Sequence, residues 1–413
     1  MVYLKEYDNG LKLVVKKMDG VMSVSVGIWV GAGSRLETDK NNGISHFLEH
    51  MTFKGTENLT AFQISEAFDE IGSQPNAFTS KENTCYYVKS TIPALERSFE
   101  LLSDMFLNST YKVEEIEREK GVVIEEINMC ADTPEDVCFD NLSLAFFGDE
   151  GLGKTILGPA ENVKSFDKSY ILDYKNDYYN ADNVVVCFAG NVDGETAEKL
   201  VEKYFKPYIS TKKSKLWQPA KSVNLGKVIK KNKDIEQNHL AIAFNGIKYN
   251  GEFFDETSLL NTILGSGMSS RLFQKVREEL GLCYTVYSYP SAYRDVGSLA
   301  IYAGLNPNQT KQAYDAIFSV LYGLKKSGIT DKEFEKGKAQ VLSSFAFGQE
   351  STASQMMIYG KYLLFEGKVF DNDQKIKNIE NLKKQTVDEL IKRLDFEKYS
   401  ISLIGKTAEE IEF

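Results

Sequence analysis

A chain of 413 residues that is 42% hydrophobic and 26% charged has the composition of an ordinary globular protein, and its length predicts about two to three domains. The net charge of −10 argues against nucleic acid as a partner and would attract a basic peptide. No apolar run approaches the roughly 20 residues that cross a membrane, and the polar segment 1–10 is unlike a signal or transit peptide. We therefore expect a cytoplasmic protein without membrane insertion, whose scattered cysteines are reduced.

Strand and helix patterns occur twice along the chain in the same order. The first set has strands at 23–30, 84–88 and 184–190, an amphipathic helix at 94–107 and a charged helix at 113–129. The second set has strands at 239–244, 297–302 and 400–405, an amphipathic helix at 311–324 and a charged helix at 331–345. The repeated order indicates a duplication, and the irregular alternation of strands and helices favours two α+β domains over a doubly wound sheet.

The segment between the two sets is rich in lysine and interrupted by proline. Such a composition is typical of exposed linkers. We therefore predict an N-terminal domain at 1–210, a linker at 211–233 and a C-terminal domain of the same fold at 234–413.

The chain has only 3 histidines, and His46 and His50 lie in one pentapeptide with Glu49. On a helix the two imidazoles are one turn apart and point the same way. This H-x-x-E-H order is the inverted zinc-peptidase arrangement, in which two imidazoles bind the metal and the carboxylate deprotonates the attacking water. The alternative is a helix with two exposed histidines, which is a rare coincidence in a chain so poor in histidine.

A catalytic zinc needs a third protein ligand, and the charged helix of the first set offers carboxylates. Glu119 and Glu126 are seven residues apart and share one helix face. Val122 and Val123 lie between them and are expected on the same face. Glu125 points about 100° away and is expected in solvent.

The second set has no counterpart of these groups. Gly337 and Ser344 stand where the first set has its two glutamates. The remaining histidine, His239, opens an apolar strand and is expected to cap an edge strand rather than bind metal. The metal is therefore confined to the first domain, with one Zn²⁺ per chain.

The segment 46–51 with Phe-Lys-Gly-Thr at 53–56, followed by Glu126 at 76 residues beyond His50, resembles the pitrilysin/insulinase family of zinc peptidases. The resemblance covers nearly the whole chain and is strongest to short bacterial members and to the catalytic subunit of the mitochondrial processing peptidase. It implies that Glu126 is the third ligand and that Glu119 orients the site. It also implies that each domain is a mostly antiparallel sheet covered by helices and that the two domains form a clamshell-like chamber.

Two further segments resemble elements with which this family binds substrate. One is its substrate-binding edge strand, represented here by Asn76, Ala77, Phe78 and Thr79. The other is its C-terminal signature, represented by Met-Ser-Ser-Arg-Leu-Phe at 268–273 and then by Arg277 and Tyr284. The resemblance implies that this arginine and tyrosine reach the zinc site and contact substrate, which makes the second domain a substrate-binding domain. The alternative is a salt-bridged surface arginine and a core tyrosine.

The segment from Gly148 to Thr155 matches the P-loop pattern and, taken alone, would suggest a nucleotide triphosphatase. A P-loop must open a continuous helix whose first amides bind phosphate. Gly158 and Pro159 would disrupt that helix, and an acidic pair inside the loop would repel phosphate. We therefore expect no nucleotide as a ligand.

The sequence thus predicts a zinc-dependent endopeptidase that hydrolyses short or unfolded, extended peptides, with Glu49 as the general base. Arg277 and Tyr284 would complete the site from the second domain. Short members of the family that carry both signatures tend to be homodimers, so we expect a homodimer. The rival interpretation is a non-catalytic core subunit of the same fold, a class that has generally lost part of the zinc pentapeptide.

Overall fold

The computed structural model describes residues 2–205, 208, 213–215, 217–220, 223–406 and 408–413. Its strands form two sheets. The strands of the first sheet are β1 Val2–Glu6, β2 Lys12–Lys17, β3 Ser23–Val30, β4 Gln74–Thr79, β5 Thr84–Thr91 and β6 Val184–Gly190. The strands of the second sheet are β7 Val228–Asn232, β8 Asn238–Asn245, β9 Cys283–Ala292, β10 Gly297–Leu305 and β11 Tyr399–Gly405.

The helices alternate irregularly with these strands. In the first half they are α1 Ile44–Thr52, α2 Ala61–Glu70, α3 Leu95–Asn108, α4 Val113–Asp132, α5 Pro134–Phe147, α6 Ala160–Ser165, α7 Lys168–Tyr178 and α8 Gly194–Tyr204. In the second half they are α9 Phe254–Leu264, α10 Thr310–Ser327, α11 Asp331–Gln349, α12 Thr352–Glu366, α13 Asn372–Glu380 and α14 Lys384–Arg393. The helices expected from the sequence are α3, α4, α10 and α11. Within the described ranges, no helix has the length and hydropathy of a membrane span.

The first sheet has the strand order β1-β2-β6-β3-β5-β4 and is antiparallel except where β2 pairs with β6. Strands β3 and β6 lie inside the sheet and are buried along almost their whole length. Their near-continuous apolar runs therefore reflect burial on both faces. Among the described strands, β4 pairs with β5 alone and forms one edge of the sheet.

The second sheet has the strand order β7-β11-β8-β10-β9, and only β7 and β11 are parallel. Strand by strand this order reproduces β2-β6-β3-β5-β4 of the first sheet, including the position of the single parallel pair. The two sheets thus share one mostly antiparallel topology. The predicted α+β class with a repeated fold is confirmed.

The chain divides into two compact units whose bounds differ from the predicted domains. The first unit comprises Met1–Ile127, Thr155–Gln218 and Phe347–Phe370, and the second comprises Asn128–Lys154, Pro219–Ala346 and Asp371–Phe413. Strand β7 lies inside the predicted linker 211–233, of which residues 211, 212, 216, 221 and 222 fall outside the described residues. The catalytic and substrate-binding roles assigned to domains 1–210 and 234–413 stay predictions.

Each half contributes one helix to the sheet of the other half. Helix α5 follows α4 and packs on β8 and β11 of the second sheet, whereas α12 follows α11 and packs on β2, β3 and β6 of the first. The approach of α12 requires a glycine, because a Cβ on Gly360 would lie 2.1 Å from Nε1 of the buried Trp29. Met356 and Tyr359 of α12 complete this apolar layer, which includes the buried thiols of Cys85 and Cys187.

The opposite face of the first sheet packs against α1. The side chains of α1 buried in this core are Ile44, Phe47, Leu48 and Met51. They share the core with alternate residues of β3, beginning with Val24 and Val26. Because a helix that buries one side leaves the other for polar groups, this packing fixes the side on which the paired histidines can lie.

In the second unit an ion pair joins the segment 268–273 to the start of α11. Arg271 donates to both carboxylate oxygens of Glu333, at 2.7 and 2.8 Å. Glu333 also accepts hydrogen bonds from the backbone and the hydroxyl of Thr330. These contacts, led by the hydrogen bond from Arg271, lower the pKa of Glu333 to about 2.

Glu333→Gln is expected to lower the free energy of unfolding of the metal-free protein by about 2 kcal/mol at neutral pH. The folded carboxyl has a lower pKa than an unfolded glutamate, at about 4.3. Its stabilisation is therefore complete above that pH and is lost as the pH falls toward the folded value. Urea unfolding at about pH 3 should show the deficit of the variant reduced by about half.

The matched control for this prediction is Glu335→Gln, because Glu335 is an exposed glutamate on the same helix. Its effect on the free energy of unfolding should stay within about 0.5 kcal/mol at both pH values. A deficit in Glu333→Gln that is the same at low and neutral pH would contradict a stabilisation that depends on the charge.

Candidate metal centre

Helix α1 begins at a glycine that has no side-chain cap of its own. Gly43 has φ +103°, and a Cβ there would lie 2.5 Å from the carbonyl oxygen of Leu157. The buried Glu37 replaces the missing cap, because its two oxygens accept the backbone N–H groups of Gly43 and Ser45, each at 2.8 Å. The side chains of Asn42 and Ser45 donate to the same carboxylate. Glu37 therefore fixes where the histidine-bearing helix starts.

His46, His50 and Glu126 converge as the sequence predicts. The imidazole centroids lie 4.5 Å apart. The carboxylate of Glu126 on α4 approaches Nε2 of His46 at 3.7 Å and Nε2 of His50 at 3.4 Å. Ligand atoms around a tetrahedral zinc lie about 3.3 Å from one another, since each bond is about 2.0–2.1 Å long. The three groups thus have the spacing of a zinc ligand set, and they form the only such cluster among the described residues.

The environment of His46 keeps its imidazole neutral. Burial, together with the positive charge that His50 can carry, lowers the pKa of His46 to about 3. A neutral imidazole has a nitrogen lone pair available at neutral pH, which a metal ligand requires. Within the described part of the chain, the buried Nδ1 of His46 has no hydrogen-bond partner.

His50 is held by a chain of charged groups that leads away from the cluster. Its Nδ1 lies 2.8 Å from Oε1 of Glu119, and Nζ of Lys54 lies 2.6 Å from the other oxygen of that carboxylate. Burial lowers the pKa of His50, but the hydrogen bond and charge of Glu119, with the charges of Glu126 and Glu49, outweigh it and raise the pKa. Burial raises the pKa of Glu119, and its hydrogen bonds to His50 and Lys54 more than reverse this. The arrangement directs Nε2 of His50 toward Glu126.

Lys54 is a site residue that spacing alone does not identify. It belongs to the Phe-Lys-Gly-Thr segment at 53–56, which the sequence distinguishes only as part of a family motif. The signal that could have found it is an amine placed four residues after His50, next to a buried carboxylate. Its ammonium compensates the charge of Glu119, which is only 2% exposed.

Glu49 lies on α1 between the two histidines and is joined to strand β4. The hydroxyl of Thr79 donates to Oε2 of Glu49 at 2.5 Å. Burial raises the pKa of Glu49, and the hydrogen bond from Thr79 and the charge of His50 oppose this only in part. A carboxyl with a raised pKa accepts and releases a proton more readily near neutral pH than an ordinary glutamate does.

The buried face of α4 includes fewer residues than the sequence predicts. Glu119 and Val123 are buried and Glu126 is partly buried. Val122 is 48% exposed, so its expected place on the apolar stripe is wrong. The reason is angular, since Val122 is about 100° from Val123 around the helix. Glu125 is exposed, as expected.

The segment expected to bind substrate forms edge strand β4. Phe78 packs edge-on against Trp29, with ring centroids 5.7 Å apart. Ala77 packs against the core shared with α1, while Asn76 is exposed. The hydroxyl of Thr79 lies at the end of this strand, next to Glu49.

Arg277 and Tyr284 lie close together in the second unit. Arg277 is on the π-helix Phe273–Glu279, a rare element that is frequent at functional sites. Its guanidinium lies 4.5 Å from the ring centroid of Phe273 and 4.7 Å from that of Tyr284. Tyr284 is 76% exposed, so the alternative of a core tyrosine is wrong. Contact of these residues with substrate stays a prediction.

The second half has an apolar contact where the first half has Glu119. Gly337 of α11 faces Ile263 and Leu259 of α9, at the position that Glu119 has on α4. His239 lies on β8, which is inside the second sheet, and its Nδ1 is 2.7 Å from the Tyr302 hydroxyl on β10. The expectation that His239 caps an edge strand is therefore wrong, because sequence patterns do not give the spatial order of strands.

The segment that matches the P-loop pattern lacks the structure of a P-loop. Helix α5, not a strand, precedes Gly148. A short 3₁₀ helix, Gly151–Gly153, occupies the loop. The next helix after the loop is α6, which begins only at Ala160 and has 6 residues. A phosphate-binding loop needs a strand before it and a helix directly after it. The expectation that no nucleotide binds here is consistent with this geometry.

The chain is similar to known proteins along nearly its whole length. A family model described as "Insulinase (Peptidase family M16)" matches residues 13–160, and one described as "Peptidase M16 inactive domain" matches residues 165–341. An uncharacterised zinc protease of Bacillus subtilis, YmxG, is 43% identical over 405 residues, which cover 97% of this chain and 98% of that protein. An uncharacterised zinc protease of Mycobacterium leprae is 34% identical over 97% of this chain and 91% of its own length.

Solved structures share the fold. A protease from Helicobacter pylori superposes with a TM-score of 0.91 at 22% identity, covering 98% of this chain and 99% of that one. A structure from Pseudomonas fluorescens described as a peptidase M16 inactive domain superposes with a TM-score of 0.91 at 19% identity, covering 98% of each chain.

Proposed function

The chain belongs to the insulinase family, peptidase family M16, and from that premise we propose that it is a zinc-dependent endopeptidase. The observation that supports this most directly is the convergence of His46, His50 and Glu126 at the spacing of a zinc ligand set. Glu49 lies on the same helix as the two histidines and has no counterpart in the second half. The ligand set and the base together suit metal-assisted hydrolysis.

When bound, Zn²⁺ supplies a Lewis acid that polarises the scissile carbonyl and acidifies the attacking water. Glu49 accepts the proton of that water and delivers it to the leaving amine. Glu119 holds Nδ1 of His50, so that Nε2 is the nitrogen left to bind the metal. Lys54 keeps Glu119 charged in its buried position.

The free edge of β4 is the proposed binding site for an extended peptide. In the turn after β4, the N–H of Ser80 donates to the C=O of Asn83. Backbone groups alternate in an antiparallel pair, so those of Thr79 and Ala77 point away from β5. Pro75 fits this alternation, because it has no N–H to donate to β5. A peptide that adds here as a strand is bound through its backbone, so the proposed substrates are short or unfolded peptides.

Further parts of the proposal concern the second unit and the assembly. Arg277 and Tyr284 are proposed to contact the peptide and to stabilise the developing oxyanion. The net charge of −10 supports a preference for basic peptides. A homodimer and a cytoplasmic location complete the proposal.

Metal analysis combined with a fluorogenic-peptide assay tests the proposed function. We expect about one zinc per chain, cleavage that a chelator abolishes, and recovery when Zn²⁺ is added. ATP should have no effect, whereas a nucleotide triphosphatase would require it. Cleavage that survives complete removal of the metal would contradict the mechanism. A zinc-loaded protein that cleaves no peptide would favour the non-catalytic subunit instead.

A further inference from the structure

Thr79 lies where the proposed substrate strand meets the proposed general base. It is the last residue of β4, and its hydroxyl donates to Oε2 of Glu49. The alternation that begins at the Ser80 turn places its backbone groups at the free edge of the sheet. A single residue thus has its backbone on the peptide side and its side chain on the base.

The two elements that Thr79 joins are also packed together. Helix α1, which carries Glu49, contacts β4. Ala77, two residues before Thr79, packs into the same core as the buried face of α1. A displacement of the β4 backbone therefore moves the hydroxyl of Thr79 relative to Glu49, and with it the hydrogen bond that orients this carboxylate.

Orientation matters here because a carboxylate has two oxygens and can rotate. Glu49 is more than half removed from water, and Thr79 supplies the hydrogen bond that the described structure shows for it. With Oε2 held, Oε1 is the oxygen left to take the proton of the attacking water. A base must lie within hydrogen-bond reach of the proton that it abstracts. The orientation of Oε1 should therefore affect the rate of cleavage more than it affects the affinity for peptide.

We propose that Thr79 is a positioning residue that couples the register of the bound peptide strand to the orientation of the Glu49 carboxylate. The inference rests on the proposed function. The backbone of Thr79 pairs with the peptide and sets which peptide bond lies at the metal. Its hydroxyl holds the base at the matching place. Peptide alignment and proton transfer then depend on one residue rather than on two independent ones.

Two substitutions at Thr79 distinguish the effect of its hydroxyl from the effect of its side-chain shape. Thr79→Val keeps the β-branched shape and removes the donor, and it should lower kcat by about 10- to 100-fold, the effect of one hydrogen bond to a charged group. KM and zinc content should stay within about 2-fold of wild type, because the backbone edge and the ligands are unchanged. Thr79→Ser keeps the donor and should retain kcat within about 3-fold.

A binding measurement on metal-free protein provides a readout that does not depend on turnover. The affinity for a fluorescently labelled peptide, measured by anisotropy, should be the same in Thr79→Val and wild type within about 2-fold. Thr91→Val is the matched control, since Thr91 is an exposed threonine at the far end of the neighbouring strand β5. It should leave kcat, KM and peptide affinity unchanged.

Equal kcat in Thr79→Val and wild type would overturn the inference, as would a serine variant as slow as the valine variant. A loss confined to KM or to the affinity of the metal-free protein would overturn it too, because Thr79 would then act on the peptide alone. Absence of zinc-dependent cleavage in the wild-type protein is a different result. It would refute the proposed function, and this inference with it.

Discussion

Glu49→Gln should reduce peptide cleavage by about 10²- to 10⁴-fold while leaving the zinc content unchanged. Glutamine has nearly the shape of glutamate and can still accept the hydrogen bond from Thr79, but it cannot take a proton from the attacking water. The proposed ligand atoms belong to His46, His50 and Glu126, so the metal should stay bound. Initial rates with a fluorogenic peptide, together with metal analysis of the same preparation, measure both quantities.

Glu57→Gln is a suitable control for this substitution, because Glu57 is an exposed glutamate shortly after α1. Its cleavage rate and zinc content should equal those of wild type. If Glu49→Gln were fully active with zinc bound, Glu49 would not be the general base. If it lost zinc, the role of Glu49 would be to maintain the metal site rather than to transfer a proton.

Glu126→Gln should weaken zinc binding by more than about 100-fold, because loss of a direct ligand exceeds the about 10- to 100-fold effect of residues that only support ligands. A neutral amide is a poor zinc ligand, and the carboxylate is the one anionic side chain of the proposed set. Competition against a chromophoric chelator gives the dissociation constant. Cleavage at limiting zinc should fall in parallel.

Glu125→Gln is the matched control for the ligand test. It changes the same residue type on the same helix one position away, and Glu125 is exposed. Its zinc affinity should be that of wild type. If Glu126→Gln retained wild-type affinity, or if Glu125→Gln lost it, the third ligand would have been assigned to the wrong carboxylate.

Periodicity accounts for most of what could be foreseen at the site. Four residues make about one helical turn and seven make about two, so the spacing places His46 beside His50 and Glu119 in line with Glu126. Both pairs lie as expected in the structure. The same rule turns Val122 about 100° away from Val123, which agrees with its 48% exposure and contradicts the expectation that the two residues share a face.

Contacts between distant segments could not be foreseen, because periodicity describes one element at a time. Glu37 caps α1 from a preceding loop, and Thr79 reaches Glu49 from a strand 30 residues further on. The position of His239 inside the second sheet depends on strand order, which short sequence patterns do not encode. The sequence of a helix such as α12 can show that it is largely apolar but not which sheet covers it.

Helices α5 and α12, each of which packs on the sheet of the other half, constrain the order in which a nascent chain can fold. The last strand of the first sheet ends at Gly190, but the helix that covers its Trp29 face begins at Thr352. At about 5–20 residues per second, translation needs about 8–30 seconds to cross that interval. During this time the apolar face that contains Trp29 has no helix to cover it. Helix α5 is synthesised before β8 and β11, the strands on which it packs. Coverage of the first sheet by α12 is therefore delayed until most of the second sheet has been synthesised, and a chain truncated before α12 would be prone to aggregate.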